Sequence, residues 1–466
     1  MIPVIILALI GLLIAFIVTV FVMPYVIRAM KHRGVVGIDA HKLDKPEVAE
    51  MGGVGILFGA TVACLVIFLG SGLIGLGIFD FRILIFLAVL LIAGLIGVID
   101  DLKPLGPKVK PLLTALACLP ILLYTWALMW AGLIPVLPPA YVPTPFLPFL
   151  GEARLSIVYP LILVPLAIAV TSNSVNMIDV FNGVMPLTAI IIFVALLITS
   201  LFMMALGILE ASLGLLFSSI MIGALLAYFI YNRYPARVFA GDTGSLVVGA
   251  AIGAVAIIGR LEIVAIVALM PAIMNAFYSL VSIGGLLERR QIRVRPTILN
   301  ENQTIAASGN PKAPLTLTRL IVARGPLTEQ RITVSVAFLT LASSVLAILT
   351  LFLIPFIPGV IISWPFSLLL LIAPLLLILG VYFTLRKIDH LGLRLAGLIA
   401  IMVGVWGLGM VGFAILDFLI NVYQSIFWPI AGILFISGWF ALWHFSTRLY
   451  FRYEMKRFTY FKPVNS

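Results

Sequence analysis

Long apolar runs alternate with short polar segments along the whole chain, and this alternation sets its organisation. Apolar runs near residues 3–26, 53–76, 82–99, 111–133, 156–172, 184–207, 211–231, 243–259, 262–286, 332–357, 364–385, 393–420 and 425–446 each approach the roughly 20 residues a helix needs to cross a bilayer, their ends set to about three residues. The pattern predicts an all-α fold, a polytopic membrane helical bundle of roughly thirteen spans with no soluble domain between them. Polar residues collect in the segments 27–52, 100–110, 173–183, 232–242 and 287–331, all after odd-numbered spans. The segment 134–155, on the other side, is Pro-rich and almost uncharged, which predicts packing at the interface.

Charge gives the sequence a direction. Apart from Arg82, Arg154 and Arg260, every Lys and Arg follows an odd-numbered span. Basic loops stay on the cytoplasmic side, so the N-terminus is predicted outside, the C-terminus inside, and the polar segments cytoplasmic. A 63% hydrophobic and 10% charged composition, with mean hydropathy +1.24, excludes an ordinary soluble domain. The first run, from Ile5 to Met23, has neither a basic n-region nor a small-residue cleavage site and is predicted to remain as a span. The net charge of +11 is spread over juxtamembrane loops without an aromatic-interleaved basic module. This points to membrane lipids and phosphates as partners rather than nucleic acid. Cys64 and Cys118 lie inside apolar runs, too few for a metal cage or a disulfide framework.

The candidate chemistry sits at the ends of spans. Gly97-Val98-Ile99-Asp100-Asp101 closes one run with two adjacent carboxylates, and Lys110 follows. Neighbouring acids on a helix end point about 100° apart, so one can face a ligand while the other supports it. Acids at a C-terminal end oppose the helix dipole, which disfavours a merely solvated terminus. Asn173-Ser174-Val175-Asn176-Met177-Ile178-Asp179-Val180-Phe181-Asn182-Gly183 breaks another run with amides and one acid. Asn176 and Asp179 are spaced to share a helix face, and such oxygens suit Mg²⁺. Phe239-Ala240-Gly241-Asp242-Thr243-Gly244-Ser245 precedes a small-residue span. A helix starting there either aims its positive end at phosphate or uses Asp242 or Thr243 as an ordinary N-cap. Arg293 and Arg295 in Arg289-Arg290-Gln291-Ile292-Arg293-Val294-Arg295-Pro296 match a pyrophosphate if the segment is extended, whereas Arg289 and Arg290 read as membrane anchors. Asp39-Ala40-His41-Lys42 and Glu50-Met51-Gly52-Gly53 are weaker signals, and His41 alone makes no metal site. Asp417 reads as an acid reaching interfacial water at the outer end of its span.

Together these groups describe a Mg²⁺-dependent site for a phosphorylated substrate, with the second substrate lipidic and phosphoryl transfer as the reaction. A transporter of an anionic or lipid-linked solute is the rival class. It calls for polar breaks near the bilayer midplane rather than at one face.

In order and spacing these motifs resemble the polyprenyl-phosphate N-acetylhexosamine-1-phosphate transferase family, from about residue 25 to 335. Tyr231-Asn232-Arg233-Tyr234-Pro235-Ala236-Arg237-Val238-Phe239-Ala240-Gly241-Asp242-Thr243, Asn275-Ala276-Phe277-Tyr278-Ser279-Leu280, Arg293-Val294-Arg295-Pro296 and Gly325-Pro326-Leu327-Thr328-Glu329 look most like its archaeal and eukaryotic branch. That branch transfers GlcNAc-1-phosphate from UDP-GlcNAc to dolichyl phosphate, releases UMP, begins lipid-linked oligosaccharide assembly for N-glycosylation and is blocked by tunicamycin. The resemblance implies a ten-span transferase core over residues 1–357, whereas the further spans and basic tail over 358–466 lie outside it and carry no function beyond packing or a homodimer contact. It implies that Asn176 and Asp242 hold Mg²⁺, with Mn²⁺ an alternative, and that Phe239 and Asn182 contact uracil. Lys42 belongs to the substrate-binding set and Glu50 lies near the nucleoside. Lys110 and Arg293 bind phosphates, Arg295 helps seat the amino sugar, and Asp179 supports the metal or the substrate. Asp100 and Asp101 orient or deprotonate the lipid phosphate. Pro104 departs from the acidic motif's usual third polar position, and Asp179 matches the bacterial branch. Another UDP-N-acetylhexosamine or undecaprenyl phosphate remains open by the same resemblance.

Overall fold

The computed structural model describes residues 2–73, 80–131, 159–205, 207–208, 211–283, 285, 294–310 and 313–349. The runs near 364–385, 393–420 and 425–446, the segment 134–155, Asp417 and Arg293 lie outside them.

Among the described residues, nine helices are long and apolar enough to cross a membrane, or ten if one bent pair is a single span. The chain runs α1 (Ile2–His32), β1 (Val36–Ile38), β2 (Glu47–Ala49), α2 (Gly53–Leu73), α3 (Arg82–Leu102), α4 (Val109–Leu116) and α5 (Leu119–Trp130). After a π-helical turn at Tyr159–Leu163 come α6 (Val164–Ile178), α7 (Val184–Ala205), α8 (Ala211–Asn232) and α9 (Gly241–Ile258). The bent pair follows as α10 (Glu262–Ala268) and α11 (Met270–Ile283). The last part holds β3 (Thr297–Leu299), β4 (Thr304–Ala307), α12 (Leu317–Ile321), β5 (Leu327–Thr328) and α13 (Glu329–Leu349). The bundle is helical, as its apolar periodicity predicts. The strands are small extras in the polar segments, pairing as β1-β2 and β3-β4-β5, all antiparallel.

Helix α9 is the axis of the bundle. From Thr243 to Ile258 every residue is buried, with α2, α3, α6 and α8 packed around it. Its Gly, Ala and Ser content explains this position, because helices approach closely only where side chains are small when lipid is the alternative neighbour. Gly97 of α3 illustrates the closeness: a Cβ there would lie 2.4 Å from the Thr243 Cα. That contact delivers the end of α3, with Asp100 and Asp101, to the start of α9. By contrast, α1 presents Ile6, Leu9, Leu13, Ile17 and Phe21 outward, the lipid-facing pattern of an outer helix.

Two expectations are corrected. The run near 262–286 is a pair of helices bent by 63°, not one straight span. Val267 precedes the break, and its carbonyl accepts a hydrogen bond from the Ser343 hydroxyl of α13 at 2.5 Å, which satisfies a backbone group near the bend. The helix of the run near 156–172 continues through Asn173 and Asn176 and ends at Ile178, as α6. Asp179 is its C-cap, with φ −77° and ψ 73°, and so leaves the helix instead of continuing the face of Asn176.

Candidate active site

Four helix ends meet at one place. The C-terminal ends of α3 and α6, the N-terminal end of α9 and the start of α4 bring Asp100, Asn176, Asp242 and Lys110 together. The Lys110 ammonium lies 2.7 Å from Asp100 Oδ2, 2.6 Å from Asp242 Oδ1 and 3.1 Å from Asn176 Oδ1. Three oxygens from distant parts of the chain thus converge on a single cation. Asn176 Nδ2 donates to Asp242 Oδ1 and, at 2.8 Å, to the Ser245 hydroxyl. The backbone N–H of Leu105 donates to Asp100 Oδ1 at 2.6 Å, fixing the rotamer that offers Oδ2 to Lys110.

Asp101 points elsewhere. It accepts from the backbone N–H of Asp242 at 2.6 Å, the N–H of Thr243 at 2.9 Å and the Thr243 hydroxyl at 2.6 Å. The carboxylate of α3 therefore caps α9 in place of a local side chain, where favourable dipole and donor interactions add. Neither Asp242 nor Thr243 acts as an ordinary N-cap, and these two N–H groups face Asp101 rather than phosphate. Gly241 permits the approach: its φ is +68°, and a Cβ would fall 2.6 Å from Asp101 Oδ2. Asp101→Ala leaves the two α9 N–H groups without their acceptor and is expected to cost about 1–3 kcal/mol of stability, read as a lower denaturation midpoint in detergent.

Glu50 and Phe239 reach this place on two stitched segments. Phe239 N–H donates to Ala49 C=O at 2.8 Å, Gly52 N–H to Phe239 C=O at 2.8 Å and Gly53 N–H to Ala240 C=O at 2.9 Å. Phe239 is half-buried. Burial, then the negative charges of Asp101 and Asp242, hold the Glu50 carboxyl above its usual range. Asp179 lies close by, its carboxyl pushed up to about 7 by burial first and the charge of Asp242 second. A folded-state value above the unfolded 3.8 means that the folded chain binds the extra proton between about pH 4 and 7, so stability falls as pH rises through that window. Asp179→Asn removes the penalty. Its melting temperature is expected to exceed that of the unmodified chain at pH 8, with the gap closing toward pH 4.

Lys42 and Asn182 belong to a second, neighbouring network. Lys42 pairs with Asp39, donates to Asn182 Oδ1 at 3.3 Å, lies 4.8 Å from the Tyr234 ring centroid and 3.9 Å from Glu329 Oε2. Asn182 Oδ1 also accepts from Ala236 N–H at 2.6 Å, while Nδ2 donates to Asp39 Oδ2 at 3.1 Å and to Glu329 Oε1. Both acceptor positions and both donors of this amide are therefore taken by protein. Arg295 is exposed in the stretch leading into β3. His41 packs its ring 4.5 Å from Phe181, and Cys64 and Cys118 are buried free thiols. Asp39, Asn232, Ser245 and Glu329 carry contacts whose roles the motifs did not single out.

Residues 83–260 match the model of glycosyl transferase family 4. A glycosyltransferase of Methanocaldococcus jannaschii, so named provisionally, is 30% identical over 294 residues, 63% of this chain and 80% of the relative. A Saccharolobus solfataricus protein provisionally named a UDP-N-acetylglucosamine–dolichyl-phosphate N-acetylglucosaminephosphotransferase is 32% identical over 253 residues, 54% of this chain and 71% of the relative. The chain belongs to glycosyl transferase family 4. A bacterial phospho-N-acetylmuramoyl-pentapeptide-transferase from Moorella thermoacetica is 34% identical over 236 residues, 48% of this chain and 64% of the relative. With its apolar helices, this family-4 glycosyl transferase is an integral membrane protein. The matched segment holds Asp100, Asp101, Lys110, Asn176, Asp179, Asn182, Phe239 and Asp242, whereas Lys42, Glu50, Arg293, Arg295 and Glu329 lie outside it.

Proposed function

We propose that this chain transfers GlcNAc-1-phosphate from UDP-GlcNAc to a polyprenyl phosphate of the dolichyl type, releasing UMP and forming a lipid-linked GlcNAc pyrophosphate. The single observation that carries the reading is the convergence of Asp100, Asn176 and Asp242 on one cation, the Lys110 ammonium. Family membership and the relatives' names support the same chemistry. The polar groups gather at helix ends at one face, the placement expected when a soluble donor meets a lipid acceptor. The surrounding basic segments support a cytoplasmic site, with the N-terminus outside and the C-terminus inside.

Mg²⁺ fits the donor set. Among the described residues no three His, Cys, Asp or Glu are grouped to hold a metal. Two carboxylates and an amide oxygen are the small protein share this ion takes when phosphate and water supply the rest. Asp242 and Asn176 are the residues to hold it, with Asp100 alongside. When bound, the ion supplies charge neutralisation on the pyrophosphate and on the departing UMP.

In the reaction an oxygen of the lipid phosphate attacks the sugar-bearing phosphorus. The new P–O bond forms as the bond to the UMP oxygen breaks, and UMP keeps that electron pair. A dianionic acceptor already has a nucleophilic oxygen, so no proton need be removed. Asp100 orients Lys110, whose ammonium is placed to bind phosphate oxygen and stabilise charge on the transferring group. Asp101 fixes the start of α9 and thereby the position of Asp242. Phe239 supplies an apolar face for the base, Glu50 stands near the nucleoside, and Arg293 and Arg295 are assigned to the phosphate and the amino sugar.

Mass spectrometry of the lipid product tests the reading. With UDP-GlcNAc and dolichyl phosphate the product is expected to be lipid pyrophosphoryl-GlcNAc, formed faster than with UDP-GalNAc or UDP-MurNAc-pentapeptide. A preference for the peptide donor and undecaprenyl phosphate contradicts it and favours the bacterial relatives' specificity.

A further inference from the structure

A buried carboxylate at the first position of a spanning helix ordinarily serves its own helix, where it meets the positive end of the dipole. Glu329, at the start of α13 and 4% exposed, is committed elsewhere. Its Oε1 accepts from the backbone N–H of Asn182 at 2.8 Å and from the Asn182 side-chain amide. Thr333, one turn further along α13, donates its hydroxyl to the Asn182 carbonyl at 3.1 Å. The first two turns of α13 therefore hold the N–H, the C=O and the side chain of a single residue.

That residue is joined to the segment carrying Phe239. Asn182 Oδ1 accepts from Ala236 N–H. Beside it, Asn232 accepts from Gly183 N–H at 3.0 Å and donates to Val238 C=O at 2.8 Å. The turn at Asn182 and the segment leading to Phe239 are thus cross-linked at two points, and Glu329 grips the turn from behind. The Glu329 carboxylate also lies in a group of two acids and one ammonium, with Asp39 and Lys42. Such buried ionic groups stabilise no better than apolar packing would, so fixing one orientation is the more economical account of why they are there.

We propose that Glu329, assisted by Thr333, is a positioning residue for uridine recognition, acting through Asn182 on the segment that presents Phe239. The inference rests on the transferase reading above, which places the base at Phe239. It makes the start of α13 part of the nucleotide site, although it lies outside the segment matched to the family.

The test is UDP binding to the purified full chain in detergent, by calorimetry, alongside melting temperature and the KM for dolichyl phosphate. Glu329→Ala loses the two bonds accepted at Oε1 and is expected to weaken UDP binding by roughly tenfold to a hundredfold. Glu329→Gln keeps an oxygen for Asn182 and is expected to stay within about threefold of the unmodified chain. Thr333→Val removes one neutral bond and is expected to cost about threefold, which keeps the test open if Glu329→Ala does not fold. The KM for dolichyl phosphate is expected to stay unchanged in every folded variant. Normal UDP affinity in Thr333→Val or in folded Glu329→Ala overturns the proposal, as does an equal loss in Glu329→Gln. An unmodified chain that binds no uridine nucleotide overturns the transferase reading itself and the inference with it.

Discussion

Asp242→Ala is expected to lower turnover by about 10³-fold while the protein remains folded. The carboxylate removed is the one on which Lys110 and Asn176 both converge. The backbone that holds the start of α9 is left intact. Asp101 grips the N–H of residue 242, which alanine retains, and the N–H and hydroxyl of Thr243. The close approach of Gly97 to Thr243 is likewise a backbone contact and survives the change. UMP release measured beside a melting curve separates the two effects. Full turnover by a folded variant places the cation site elsewhere.

Lys110→Met is expected to lower turnover by about 10²- to 10³-fold through loss of charge stabilisation on the transferring phosphate. This substitution has a second, opposite signature. Asp100 and Asp242 lose their shared counterion, and the Asp100 side chain is only 4% exposed. Removing one partner from a buried pair costs about 3–5 kcal/mol, and the 16% exposure of the Lys110 side chain places this case near the lower end. The melting temperature in chelator is therefore expected to fall. Added Mg²⁺ is expected to recover it, and by more than it shifts the unmodified chain, because no ammonium now competes for the same oxygens. A variant indifferent to Mg²⁺ in its melting contradicts the assignment of those oxygens to a divalent ion.

The sequence makes the bundle and the local motifs legible for one physical reason: a polar residue at the end of an apolar run is conspicuous. Asp100, Asn176 and Asp242 each stand out in this way, and their contacts lie at three of the four helix ends that meet. Which carboxylate does what was not legible, because Asp100 and Asp101 are distinguished only by helix rotation and by the distant backbone N–H groups that Asp101 meets. A helix runs beyond its apolar stretch where polar residues stay helical, as at Asn173 and Asn176 of α6, since hydropathy records polarity and not backbone conformation. The bend between α10 and α11 has the same origin: its residues are apolar on both sides, and the one local hint is Pro271 just after the break. The Asn182 network was hidden because its partners Asp39, Lys42 and Glu329 come from remote segments where a charged residue beside a membrane ordinarily reads as solvated.

The most direct measurement is UMP release from UDP-GlcNAc by the purified protein in detergent, with and without dolichyl phosphate, Mg²⁺ and tunicamycin. The account predicts release that needs both the lipid phosphate and the divalent ion and that the inhibitor blocks. Release without lipid phosphate, or none under any UDP-sugar and lipid phosphate supplied, contradicts it.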